Sequence, residues 1–148
     1  DDVTFMKEYQ ALEPATEDIE VARDVGLALA ERIRDAEGPP GIRERAYELL
    51  DRSLTAKPDD AEAAWAFGLV AAQLKRELPL AERRVQRAGE LVPRSGDIEM
   101  AKAYVYAASG QRERTVSSLE AVARYSRQAD QKAWARKRLE AMRAGESP

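Results

Sequence analysis

Ala61-Glu62-Ala63-Ala64-Trp65-Ala66-Phe67-Gly68 opens a helical pattern that continues through Ala81 and Ala88 and closes at Pro93. The preceding closing proline, Pro58, lies 35 residues earlier. A recurrence of about that length marks helix-pair solenoids, in which each two-helix unit buries one face against the next. The stretch is rich in alanine and leucine, and β-branched residues are sparse along the whole chain, a balance that favours helix over strand.

The chain has 148 residues, 44% of them apolar and 34% charged, which suits a globular domain or a stack of several repeat units. It contains neither cysteine nor histidine. Disulfides, zinc sites built from thiolate or imidazole, and histidine-based acid–base or triad chemistry are therefore excluded. No apolar run approaches the ~18 residues needed to span a bilayer, and no signal peptide is visible. The start at Asp1 rather than methionine suggests a processed protein or a domain excised from a larger chain. The expectation is a soluble protein, with a cytoplasmic and a periplasmic compartment equally compatible. Net charge is -3 but unevenly placed: residues 1–74 carry -9 and residues 75–148 carry +6. Such polarity can orient a partner electrostatically.

Outward from the central stretch, the periodicity predicts an all-α chain of about seven helices. Phe5, Tyr9 and Leu12 mark a short helix over 3–13, ended by Pro14. Thr16 is placed as the N-cap of the next helix, with Glu17 and Asp18 in its first turn; Ile19, Ala22, Val25, Leu29 and Ile33 form its stripe. Glu37-Gly38-Pro39-Pro40-Gly41 is the strongest breaker. Ile42, Ala46, Leu49, Leu50 and Leu54 then define a helix finishing before Pro58. Asp59 or Asp60 caps a helix from Ala61 through Leu74, and Asp59-x-x-Glu62 has capping-box spacing. Pro79 fits the first turn of its mate, which carries Leu80, Ala81, Val85, Ala88 and Leu91. A third pair is expected at Ile98 to Ser109 and Glu113 to Tyr125, and a last helix over 130–143, marked by Trp134, Ala135, Leu139 and Met142, before a tail that frays after Gly145.

The pattern resembles the tetratricopeptide repeat family, whose unit places small and aromatic residues as W-x2-L-G-x2-Y…A-x3-F…A…P. In the central unit Ala64, Phe67, Gly68 and Ala71 hold the first-helix places, and Ala81, Val85, Ala88 and Pro93 follow in the second. The first unit shows Ala22, Val25, Gly26 and Leu29, then Ala46, Leu50, Ser53 and Pro58, across a loop about eight residues too long. The third shows Ala103, Tyr106, Gly110, Thr115, Leu119 and Val122, but Glu99 and Lys102 stand at its tryptophan and leucine places. The resemblance implies a single domain over 1–148: a right-handed superhelical solenoid of antiparallel helix pairs, as in bacterial members of the family. Its units would span about 16–58, 59–93 and 94–126, with an N-terminal cap or partial repeat at 3–13 and a C-terminal capping helix at 130–143. Gly68 and Ala81 are expected to face each other across the central pair.

The resemblance also implies that first helices line a concave groove. Its positions would be Glu20, Arg23, Leu27 and Ala30; Glu62, Trp65, Leu69 and Ala72; and Asp97, Met100, Tyr104 and Ala107. The candidate peptide site is Arg23, Leu27, Trp65, Leu69, Met100 and Tyr104, an apolar-aromatic strip with an acidic rim. The lysine, arginine and asparagine clamp of chaperone-binding members has no match here. A second candidate surface is basic: Arg124, Arg127, Lys132, Arg136, Lys137 and Arg138. It can meet an acidic partner, a phosphate backbone or an anionic membrane, or simply keep the outer face of a terminal helix wet; the last is favoured, and a nucleic acid disfavoured, because no aromatic residues alternate with the charges.

No catalytic constellation stands out. Asp59-Asp60 and Glu17-Asp18 are accounted for by helix starts, and Gly-Pro-Pro-Gly lacks the lysine and hydroxyl of a phosphate loop. The expectation is a non-catalytic adaptor that holds a peptide or helix of another protein, without cofactor, metal or membrane insertion. The alternative is a scaffold whose end helices dock copies of the chain into a homo-oligomer.

Overall fold

Asp1 accepts a hydrogen bond from the Thr4 amide at 2.8 Å and so caps the first helix, α1 (Asp2–Leu12), of this computed structural model, which describes residues 1–34 and 38–145. Pro14 does not release the chain into a loop. It sits in the first turn of a 3-10 helix, Glu13–Glu17, that leads into α2 (Ile19–Ile33). The cap of α2 is Asp18, whose carboxylate accepts from the Glu20 and Val21 amides, and not Thr16 as expected. Thr16 is buried and donates its hydroxyl to the Glu13 carbonyl at 2.6 Å, which leaves it no role as a cap.

Among the described residues of the proline-rich connection, Gly41 takes φ +81° as the N-cap of α3 (Ile42–Ala56), a left-handed backbone that glycine adopts without steric penalty. Glu37, the first residue of the predicted breaker, lies outside the described residues, as does the tail at 146–148. The central helix α4 (Ala61–Leu74) has the bounds read from sequence. Its cap is Asp60, accepting from the Ala63 amide at 3.1 Å, while Asp59 instead accepts from Arg87 at 3.1 Å, so the Asp59–Glu62 capping box does not form. Pro79 occupies the first turn of α5 (Leu78–Leu91). Ser95 caps α6 (Gly96–Ala108), which starts two residues before the expected Ile98. Then follow α7 (Arg112–Tyr125) and α8 (Ala129–Arg143). Eight α-helices and no strand are found among the described residues, against the expected count of about seven.

The helices pack as consecutive pairs, α2 with α3, α4 with α5 and α6 with α7, and the pairs stack through α4 and α6, so the chain is an all-α, helical-repeat-like solenoid. One apolar core runs from α2 to α6, centred on Leu29, Leu50, Phe67, Val85 and Val105. A second joins α6, α7 and α8 through Met100, Leu119, Val122, Leu139 and Met142. Close approach is made where side chains are missing. A β-carbon at Gly26 would lie 2.9 Å from Leu50, and one at Gly68 would lie 2.5 Å from Val85 Cγ1. The atoms nearest Gly68 belong to Val85, Val105 and Ala101, not to Ala81 as expected.

The misfit in the third unit has a packing reason. Lys102 lies against Gly89 of α5, where a β-carbon would meet its Nζ at 2.6 Å, and its ammonium pairs with Glu99 at 3.3 Å. Both side chains are less than one-fifth exposed, so an aliphatic stem and an ion pair stand where the pattern has two apolar residues.

Ion pairs pin the first units together. Arg45 of α3 bonds Glu13, and burial, reinforced by Glu13, pushes the neighbouring Tyr9 phenol up to about 12. Arg23 of α2 reaches Asp60 at 2.5 Å and Glu62 at 3.1 Å. Burial opposes the charge on Asp60, but the Arg23 guanidinium and the Ala63 and Glu62 amides outweigh it and hold its pKa below the usual carboxylate range. A carboxylate depressed in the folded state stabilises fully above its unfolded pKa of about 4 and loses that contribution as pH falls through the folded value. Asp60→Asn keeps a capping side chain but removes the charge. It is expected to cost about 1–2 kcal/mol at neutral pH, with the gap to the wild type closing as acid is added. Thermal melts of both proteins over an acid series check this; a gap that is constant with pH contradicts it.

Candidate functional site

The turn between α7 and α8 decides which side of the last helix faces α6. Ser126, buried there, donates its hydroxyl to the Gln131 side-chain oxygen at 2.7 Å, and the Gln131 amide donates to Asp97 at the start of α6, also at 2.7 Å. With α8 fixed by that relay, Ala135, Leu139 and Met142 enter the second core. Trp134, one turn after Gln131, is thereby brought onto Tyr104 of α6. The two rings stack with centroids 5.2 Å apart and planes inclined by 19°.

This ring pair stands between two cavities. The larger, about 540 Å³, is floored by Ala72, Ala103, Ala107 and Leu119 and edged by Gln73, Lys75 and Arg138. Among the described residues no carboxylate lines it. The smaller, about 130 Å³, is bounded by Met100 and Gln131 and by the charged groups of Arg34 and Asp130. Lys75 reaches the larger cavity because it ends α4 in a left-handed conformation, φ +51°, with its amide bonded to the Ala71 and Ala72 carbonyls. Arg138 reaches it because it lies one turn beyond Trp134 on the same flank of α8. An aromatic wall, a small-residue floor and the Lys75 ammonium at the edge make a recess complementary to an apolar side chain accompanied by negative charge.

The six predicted groove residues do not share this place. Tyr104 is in the ring pair, and Met100 is buried beneath it at the edge of the smaller cavity. Leu69 is 3% exposed and belongs to the first core. Trp65 and Leu27 are half-buried against that core and line neither cavity. Arg23 is committed to Asp60, Glu62 and Asp24. Of the expected strip, Tyr104 and Met100 lie at these cavities, where Trp134 joins them. In the sequence that residue only marks the last helix. The available signal was spacing: Ala135, Leu139 and Met142 draw the buried stripe, while Trp134 and Arg138, four apart, run along its flank.

The basic residues lie on α8, at the end of α7 and in the turn between them. Arg136 and Lys137 are exposed on α8, Lys132 is half-buried, and Arg138 belongs to the larger cavity. Arg124 ends α7 with its guanidinium 5.9 Å from the Tyr125 ring, and Arg127 borders a recess beside Val92 and Arg94. Among the described residues no cluster of histidine, cysteine, aspartate or glutamate has the arrangement of a metal site, and no helix is long and apolar enough to cross a membrane. No protein-family model, no curated protein and no solved structure matches the chain.

Proposed function

We propose that the protein is a non-catalytic adaptor of tetratricopeptide-like type that binds a peptide or helix of another protein across α4, α6 and α8. The observation that carries this reading is the Tyr104–Trp134 ring pair, flanked by cavities and edged on its larger side by Lys75 and Arg138. Rigid aromatic side chains beside a desolvated recess are the usual energetic centres of protein interfaces, since they bury much area with few rotatable bonds. The ligand that fits is a segment carrying an apolar or aromatic side chain next to an acidic one, the first entering the recess and the second meeting Lys75.

The test is selection of binders from a random peptide library followed by calorimetry. Trp134→Ala is expected to weaken the selected peptides roughly 30-fold, the loss typical of an interface hot spot, and Tyr104→Ala to follow in the same direction. Trp65→Ala, which touches neither cavity, should leave affinity nearly unchanged. Selected peptides that lose nothing on Trp134→Ala, while Trp65→Ala weakens them, would return the site to the strip read from sequence.

A further inference from the structure

Among the described residues five large apolar side chains are exposed, and they fall into two groups, one on α1 and one where α5 and α7 end. Val3 and Leu12 lie on α1, at 66% and 49% exposure; Leu91, Val92 and Tyr125 lie where α5 and α7 end, at 37%, 46% and 36%. Isolated exposed apolar residues need no explanation, but each of these groups sits beside a recess lined by charged residues.

At the N-terminal end, α1 buries none of its residues fully and leans on α2 through Phe5 and Tyr9. A cavity of about 360 Å³ remains between the two helices, walled by Phe5, Leu12, Val21 and Val25 and flanked by Glu8 and Asp24, with no basic residue lining it among the described residues. Asp24 also meets Arg23 at 3.2 Å, yet its side chain stays 72% exposed, because Arg23 is held chiefly by Asp60. At the other end, Val92, Arg94, Tyr125 and Arg127 border a shallow recess, with Arg94 5.8 Å and Arg124 5.9 Å from the Tyr125 ring. One surface is apolar and acidic; the other is apolar and mainly cationic, its one lining carboxylate among the described residues, Asp97, accepting from Gln131. The same division runs through the whole chain, -9 in its first half and +6 in its second.

We propose that these two surfaces are partners between copies of the chain: the α1–α2 groove of one copy receives the edge formed by Val92 and Tyr125, with Arg94, Arg124 and Arg127 meeting Glu8 and Asp24. Because the surfaces differ, the contact is heterologous, and each copy keeps one free groove and one free edge. Association therefore runs head to tail into chains or a ring and does not stop at a symmetric dimer. The groove shares no residue with the two cavities beside Tyr104 and Trp134, while the recess at the edge shares only Gln131 with the smaller one.

Sedimentation velocity of the whole protein tests this. The wild type is expected to grow beyond a dimer as concentration rises, and added salt should weaken the growth. Ala28→Arg, which fills the groove at an exposed position, and the edge variant Val92→Ser with Tyr125→Ser should each remain monomeric with unchanged far-ultraviolet circular dichroism. Mixed, they should form a one-to-one complex and nothing larger, because each supplies the surface the other lacks. A milder groove variant, Glu8→Gln with Asp24→Asn, adds no bulk and should weaken association about tenfold. A wild type that stays monomeric at every concentration overturns the proposal. So does a mixture that fails to recombine, or a blocked variant that still assembles alone.

Discussion

Phe67→Ala is expected to lower the unfolding free energy by about 3–5 kcal/mol, the range for deleting a buried aromatic ring from a packed core. Phe67 is 0% exposed and is gripped from both sides. The Tyr47 ring of α3 lies 4.9 Å away at a tilt of 39°, and the Arg84 guanidinium of α5 stands 4.6 Å from the Phe67 centroid. Arg84 in turn holds Asp51 of α3 at 2.7 Å. Removing the ring therefore leaves a void at the junction of three helices and takes away the surface on which a paired arginine rests. A domain of this size has only about 5–15 kcal/mol of stability in total, so the loss is a large part of it. Urea denaturation should show a lower midpoint at an unchanged slope, and the melting temperature should drop by roughly 10 °C. A change below about 1 kcal/mol would mean that the site collapses around the gap, contrary to the packing described.

The next residue gives the opposite perturbation. Gly68→Leu is expected to cost about 3 kcal/mol, at or above the upper end of the usual overpacking range. The reason is local: the first added carbon already falls 2.5 Å from Val85 Cγ1, and Val85 is itself 0% exposed and β-branched, so it has little room to turn away. Circular dichroism melting measures the loss. A cycle of Gly68→Ala with Val85→Ala then isolates its cause. The double variant should be more stable than the sum of the two single effects predicts, since removing the Val85 methyls relieves the clash. Strict additivity would place the strain elsewhere.

These two neighbours also show what was legible in the chain. Helix α4 could be read with its bounds because small and aromatic residues alternate between an acidic cap and a polar end, and no other local structure competes. Caps were read less well. Thr16 and Asp18, or Asp59 and Asp60, are all competent acceptors, and only the three-dimensional choices of Glu13 and Arg87 decide which of them remain for a helix. The third unit matches the pattern weakly because a lysine opposite Gly89 looks polar in sequence while its stem packs like an aliphatic residue. The site was the least legible part. Periodicity finds the buried stripe of α8, but the ring contact with Tyr104 depends on a buried serine–glutamine–aspartate relay that has no sequence signature.

The two cores have a consequence for cooperativity. Tyr104 touches both, whereas α8 contributes only to the second, so the last helix can open locally without breaking the core that runs from α2 to α6. The larger cavity spans that boundary, taking Ala72, Gln73 and Lys75 from α4 and Trp134 and Arg138 from α8. A ligand seated in it bridges two segments that share no core of their own. Its binding energy then acts as a brace against fraying of the C-terminal helix, and amide exchange in α8 becomes the most direct report of occupancy.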